Sequence, residues 1–197
     1  MIKKRGRPPK YDSAEALDSA IQVFWQKGLT ATSLDDLSQA MNMNRPSIYN
    51  AFGDKEAVYR KALTRFVQQL GGQLETILFS EPDLNKAMKH FYRAALDTYF
   101  SNTEPLGCFA TCTAIVEVTT SAEIKKDLNL VINSVDALLE KRLLKAQQEG
   151  NWHQDGKSKN VAKLLNATLQ SVAIRARNGE SRVSLNKMCS SAVDILC

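Results

Sequence analysis

The stretch Thr32-Ser33-Leu34-Asp35-Asp36-Leu37-Ser38-Gln39-Ala40-Met41-Asn42-Met43-Asn44-Arg45-Pro46-Ser47-Ile48-Tyr49-Asn50-Ala51-Phe52-Gly53-Asp54-Lys55 decides how the rest of the chain is read. It spells two short helices around a tight turn, followed by the start of a third. Ser33 is a good N-cap, and Asp35 and Asp36 bring negative charge to the first turn, where the helix dipole favours it. Leu34, Leu37, Ala40 and Met41 have the spacing of a short amphipathic helix. Asn42 suits a left-handed turn residue. Asn44 caps the next helix, and Pro46 sits in its first turn, where a missing N–H costs nothing. On that helix Ile48 and Phe52 point inward, which leaves Arg45, Ser47, Tyr49 and Asn50 facing out. A short helix with so polar an outer face fits the major groove of duplex DNA, where side chains near its N-terminus reach base edges and phosphates.

Working outward, residues 13–27 make the first helix, capped by Ser13, with Leu17, Ala20, Ile21, Phe24 and Trp25 on one face and Gly28 ending it. Asp54 caps a helix from Lys55 to Leu70, with Val58, Tyr59, Ala62, Leu63 and Phe66 inward. Lys55 and the N–H groups at this helix start face the way a phosphate would approach.

From the first helix through Gly28, Thr32, Ser33, Leu34, Leu37 and Ala40, and then Ser-Ile-Tyr-Asn-Ala-Phe-Gly-Asp-Lys-Glu at 47–56, the chain resembles the N-terminal domain of the TetR family of bacterial transcriptional regulators. The resemblance covers residues 13–60, and Tyr49-x-x-Phe52-x-x-Lys55-Glu56 is its specific core. It implies a ligand-responsive DNA-binding regulator, most often a repressor, released from its operator by a small molecule. Arg45, Pro46, Ser47, Tyr49 and Asn50 would then meet the double-stranded operator, with Thr32, Ser33 and Lys55 on the DNA backbone.

The sequence continues in helical pattern only. Gly71-Gly72 ends or bends the fourth helix, and Ser80-Glu81-Pro82-Asp83 is the next break. Residues 84–101 carry a wide aromatic stripe that includes Phe91, Tyr92, Tyr99 and Phe100. Residues 106–116 are apolar or small on every side, the composition of a helix buried all round. A long helix over 121–150 and two more over 158–177 and 184–196 complete an all-α chain. The division expected is a basic arm over 1–12, a three-helix helix-turn-helix domain over 13–60, and a larger helical ligand-binding and dimerisation domain over 61–197. The resemblance implies a homodimer through the last two helices. Their periodicity alone fits core helices equally well. Phe91, Tyr92, Tyr99, Phe109, Cys112 and Thr113 are the candidate lining of an effector cavity; a dense core would use the same residues.

Charge adds a second signal. The net charge is +5, and the first ten residues hold five cations and no acid, whereas residues 11–60 hold four basic and seven acidic side chains. The polyanion signal thus sits in the arm. Its Arg5-Gly6-Arg7-Pro8 resembles an AT-hook core, with Arg5 and Arg7 reading a narrow minor groove; the alternative is a solvated basic tail on phosphates. An architectural DNA-binding protein that uses this arm without an effector is the rival function. Nucleotide-binding glycine motifs, zinc-protease motifs and nucleophile elbows are missing, so no enzyme, cofactor or metal is expected. The four cysteines at 108, 112, 189 and 197 form no ligand pattern with His90 and His153. Cys108 and Cys112, four apart on a helix, are either core fillers or a thiol pair able to sense oxidants. No apolar run approaches ~18 residues, and the charged N-terminus lacks a signal peptide, which places the protein in the cytoplasm and off the membrane.

Overall fold

The computed structural model describes residues 12–153 and 156–197, and among them there are helices and no strand. The chain divides into two compact units, Met1–Arg65 and Phe66–Cys197.

In the first unit, α1 (Ser13–Ala31) is capped by Asp12, whose carboxylate accepts from the Ala14 and Glu15 amides; Ser13 is already helical. The helical geometry breaks at Gly28, as the sequence predicts: that residue takes φ 76° and ψ 172°, and a separate short turn follows the kink to Ala31. One local bond and two tertiary ones hold this turn. The Thr32 hydroxyl donates to the Gly28 carbonyl at 2.6 Å, and the Lys55 ammonium donates to the carbonyls of Leu29 and Thr32 at 2.9 and 2.8 Å. Helix α2 (Leu34–Ala40) opens on a capping box between Ser33 and Asp36. Asn42 turns the chain at φ 50°. Asn44 then caps α3 (Arg45–Phe52), with Pro46 in its first turn. The core joins Phe24 and Trp25 of α1 to Leu37, Ile48, Phe52, Val58, Tyr59 and Leu63. Phe24 meets Tyr59 edge to face at 5.2 Å, and Arg65 bonds both oxygens of Asp18.

Helix α4 (Lys55–Ser80) runs unbroken through Gly71-Gly72. A lone or paired glycine weakens a helix without ending it when the flanking turns are good helix formers, as Gln68-Gln69-Leu70 and Gln73-Leu74-Glu75 are.

The second unit is built around α5 (Leu84–Tyr99), capped by Asp83. Helices α6 (Ala122–Gln148), α7 (Ser158–Arg177) and α8 (Arg182–Leu196) pack in sequence, and α8 closes back on α5. Phe91, Tyr92, Tyr99, Leu139, Leu143, Leu165, Val172 and Leu185 form the shared core. The stretch expected as a helix buried all round is different. Residues 106–109 are mostly irregular, a π-helical turn spans Ala110–Ala114, and a single 3₁₀ turn spans Ile115–Glu117. Ile115 and Val116 are 52% and 67% exposed.

Candidate nucleic-acid interface

Helix α3 is pinned from below and open above. Ile48 and Phe52 are buried, whereas Arg45, Pro46, Tyr49 and Asn50 are exposed, Tyr49 by 53%. Ser47 is half-buried, and its amide donates to the Asn44 side chain at 2.8 Å, so the cap both starts the helix and fixes its first turn. Two buried side chains one turn apart stop the helix rolling, which presents its polar face in a fixed orientation.

The residues flanking α3 are engaged by their own fold. Thr32 is buried. Ser33 is exposed, and its hydroxyl oxygen accepts from the Asp36 amide in the capping box. Lys55 is half-buried on the carbonyls that end α1. The Arg45 guanidinium holds Asp35, with Nε and NH2 both donating to its carboxylate at 2.9 and 2.6 Å. The sequence does not reveal that partner, since in it Asp35 stands only as an acid matched to the helix dipole. The i to i+10 separation across a turn becomes proximity only once α2 and α3 are packed. Arg5 and Arg7, and the AT-hook-like arm with them, lie outside the described residues.

Asp36 is a local electrostatic anchor. The Lys27 ammonium at 2.6 Å, then the Ser33 amide and hydroxyl, hold its carboxyl well below the ordinary carboxylate range. A depressed folded-state pKa contributes stability that is complete above the unfolded value and is lost as pH falls. The melting temperature of Asp36→Asn should therefore lie below that of the parent at about pH 6, with the gap beginning to narrow only below about pH 4 and still present at about pH 3, where the folded carboxyl stays ionised. Coincident melting temperatures for parent and variant at about pH 6 would show that the Lys27–Asp36 contact adds nothing.

The expected cavity residues separate into two groups. Phe91, Tyr92, Tyr99, Phe109 and Thr113 are fully buried. The Tyr92 hydroxyl donates to the Leu165 carbonyl at 2.7 Å, Thr113 donates to the Phe109 carbonyl at 2.7 Å, and Phe109 packs edge to face on Phe66 at 5.5 Å. Cys112 is half-buried and lines a groove of about 420 Å³ with Thr111, Ile115, Ile174, Arg177 and Asn178. Burial pushes the Cys108 thiol up despite hydrogen bonds from Thr111 and Tyr99, and burial together with Cys108 pushes Cys112 up to about 11. Both are thiols, not thiolates, near neutrality. Iodoacetamide at about pH 7.5 should therefore react slowly and reach Cys112 first, with its rate rising about tenfold per pH unit until the thiol titrates. Peptide mass spectrometry reads this directly, and fast labelling of Cys108 at neutral pH would contradict the burial argument.

Among the described residues no group of His, Cys, Asp and Glu could hold a metal ion, and no helix is long and apolar enough to cross a membrane.

A short capped helix with a buried underside and an open polar face, set behind a tight turn on a second helix, defines a DNA-binding protein of the helix-turn-helix class. The family model for bacterial regulatory proteins of the tetR family matches residues 16–62. The chain is 30% identical to the HTH-type transcriptional repressor ComR of Escherichia coli (strain K12) over 192 residues, 97% of this chain and 91% of that one. It superposes with a TM-score of 0.88 and 26% identity on a cysteine mutant of the TetR family transcriptional regulator CifR complexed with 26-bp double-strand operator DNA, covering 95% of this chain and 98% of that one. The reduced form of Escherichia coli NemR shares the fold at 20% identity, with a TM-score of 0.81 over 90% of this chain and 93% of that one. The chain belongs to the TetR family of bacterial transcriptional regulators.

Proposed function

We propose that this DNA-binding regulator is a cytoplasmic homodimeric repressor, released from its operator by a small molecule. The observation that carries the reading is α3 itself, held by Ile48 and Phe52 with Arg45, Tyr49 and Asn50 turned out. The similarity to ComR, named a repressor, and to CifR, bound to operator DNA, supports it. In this reading residues 1–12 are a basic arm, 13–60 the DNA-reading domain, and 61–197 the effector and dimerisation domain. Arg45, Pro46, Ser47, Tyr49 and Asn50 enter the major groove. Ser33 lies along the sugar-phosphate backbone, and Lys55 exchanges a carbonyl for a phosphate oxygen on binding. Thr32, buried with its hydroxyl on the Gly28 carbonyl, holds the end of α1 behind them and does not touch DNA through its side chain.

Dimerisation is assigned to α7 and α8, which expose Leu164, Ile174, Val183 and Ile195 at 53%, 55%, 67% and 77%. Isolated apolar residues on a surface are ordinary, but four on the two terminal helices suit a bundle completed by a second copy. The two copies of α3 then read half-sites about 34–36 Å apart. The effector acts by binding one spacing of the recognition helices better than the other, and typical coupling of this kind amounts to about 1–3 kcal/mol. The groove at Cys112 and the aromatic core behind it form the region assigned to that ligand.

Gel shifts with the DNA upstream of its own gene, with and without candidate metabolites, test the reading. Arg45→Ala and Tyr49→Ala should each weaken specific binding by about 1–3 kcal/mol while leaving the melting temperature in place. Equal affinity for operator and random duplex, unmoved by any metabolite, would instead identify an architectural protein.

A further inference from the structure

The Arg45–Asp35 pair is oddly placed for a stabilising contact. Arg45 and Asp35 side chains are 57% and 73% exposed, and a solvated pair of this kind contributes little to folding. Its neighbour Asp36 is taken by Lys27 and Ser33, so Asp35 is the first-turn acid of α2 that turns to the recognition helix. The geometry is specific. Asp35 takes the side edge of the guanidinium, the Nε–H together with an N–H of NH2. This leaves the end edge, NH1 with the second N–H of NH2, as a planar two-donor fork. Such a fork matches O6 and N7 of guanine in the major groove.

We propose that Asp35 is a specificity-determining buttress, holding Arg45 in the plane in which its end edge reads one guanine of each operator half-site. An unbuttressed arginine at the first position of a helix has four rotatable bonds and bonds to phosphates as readily as to bases. Bonded through its side edge, it loses most of those orientations before DNA arrives, and its charge is partly offset against wandering to the backbone. Asp35 itself repels phosphates, so it lowers affinity for all DNA while sharpening the choice of base. The inference rests on α3 being the DNA-reading helix.

The test uses the full-length chain selected on a randomised duplex library, followed by competition with single-site variants. Arg45→Ala identifies the base pair that depends on Arg45. Asp35→Asn, which keeps the size and removes the charge, should reduce the preference for guanine at that one pair by about fivefold or more, from an expected 5- to 150-fold. Preferences elsewhere should hold, and affinity for random duplex should rise. Replacing that guanine by 7-deazaguanine should cost the parent more than it costs Asp35→Asn. In the Arg45→Ala background, Asp35→Asn should change no base preference. If Asp35→Asn raises affinity equally on all sequences with the guanine preference intact, Asp35 is only a repulsive charge and the buttress is overturned. If Arg45→Ala alters no base preference while Tyr49→Ala does, Arg45 reads no base and the buttress is overturned with α3 still the reading helix. If neither variant alters any position, the assignment of α3 as the reading helix fails, and the buttress with it.

Discussion

Replacing Arg142 by alanine should destabilise the second unit by about 3 kcal/mol or more, and lower its Tm by about 6–12 °C. This arginine lies on α6 and is 1% exposed, an uncommon place for a side chain that is always charged. Its partners are main-chain carbonyls. Nε donates to Leu78 at 3.0 Å, and NH2 donates to Glu81 and Pro82 at 3.0 and 2.8 Å. These carbonyls belong to the last turn of α4 and the bend before α5, where a helix end has orphan acceptors and a partial negative charge. One planar cation thus finishes α4 and fixes the turn that launches α5. Alanine would leave the Leu78 carbonyl and the two part-buried carbonyls of Glu81 and Pro82 without their donor, and a void the size of the lost side chain. Lysine keeps the charge but not the fork, and should recover only part of the loss. Thermal unfolding followed by circular dichroism decides the matter; an unchanged Tm for the alanine variant would mean that the carbonyls find other donors.

Gly107→Ala should cost about 2–5 kcal/mol, through two separable effects. The residue sits at φ +66°, where a Cβ costs about 1–2 kcal/mol. That Cβ would also lie 2.2 Å from the Ala173 carbonyl oxygen and 2.8 Å from Cys112 Sγ. A main-chain atom of α7 cannot swing aside, so the clash adds about 1–3 kcal/mol of overpacking. Gly150 supplies the control, since it has φ +72° with nothing within 4 Å of its would-be Cβ. Gly150→Ala should show the conformational cost alone. Equal losses at the two sites in denaturant unfolding would remove the close approach from the account. The same contact brings Cys112 against α7, its Sγ 3.7 Å from the Ala173 carbonyl, so a shifted Gly107 would also disturb the groove beside it.

The helix-turn-helix was legible because its signals act over three or four residues. Ser33, Asn44 and Asp54 cap by bonding amides three residues on, and Asn42 turns by its own φ. None of this depends on distant chain, so letters in order were enough. The boundary residues slipped where two caps competed. Asp12, with a carboxylate, displaced Ser13 at the start of α1.

Long-range partners were not legible in the same way. Residues 106–116 have the composition of a buried helix, yet Gly107 is pressed on α7 in a left-handed conformation and the chain leaves it in π and 3₁₀ turns with Ile115 exposed. Lys55 looks like a free cation at a helix start and is instead shared among the carbonyls closing α1.

The sequence by itself determined the helical class, the turn between α2 and α3, the face α3 turns outward and the family, because caps, turn residues and the 3.6-residue period are short-range physics. Tertiary structure alone decided which charges meet. Arg142 went to the end of α4, Arg45 to Asp35 and Lys55 to α1, because a cation settles on whatever acceptors packing leaves unpaired, and packing is set by the whole chain.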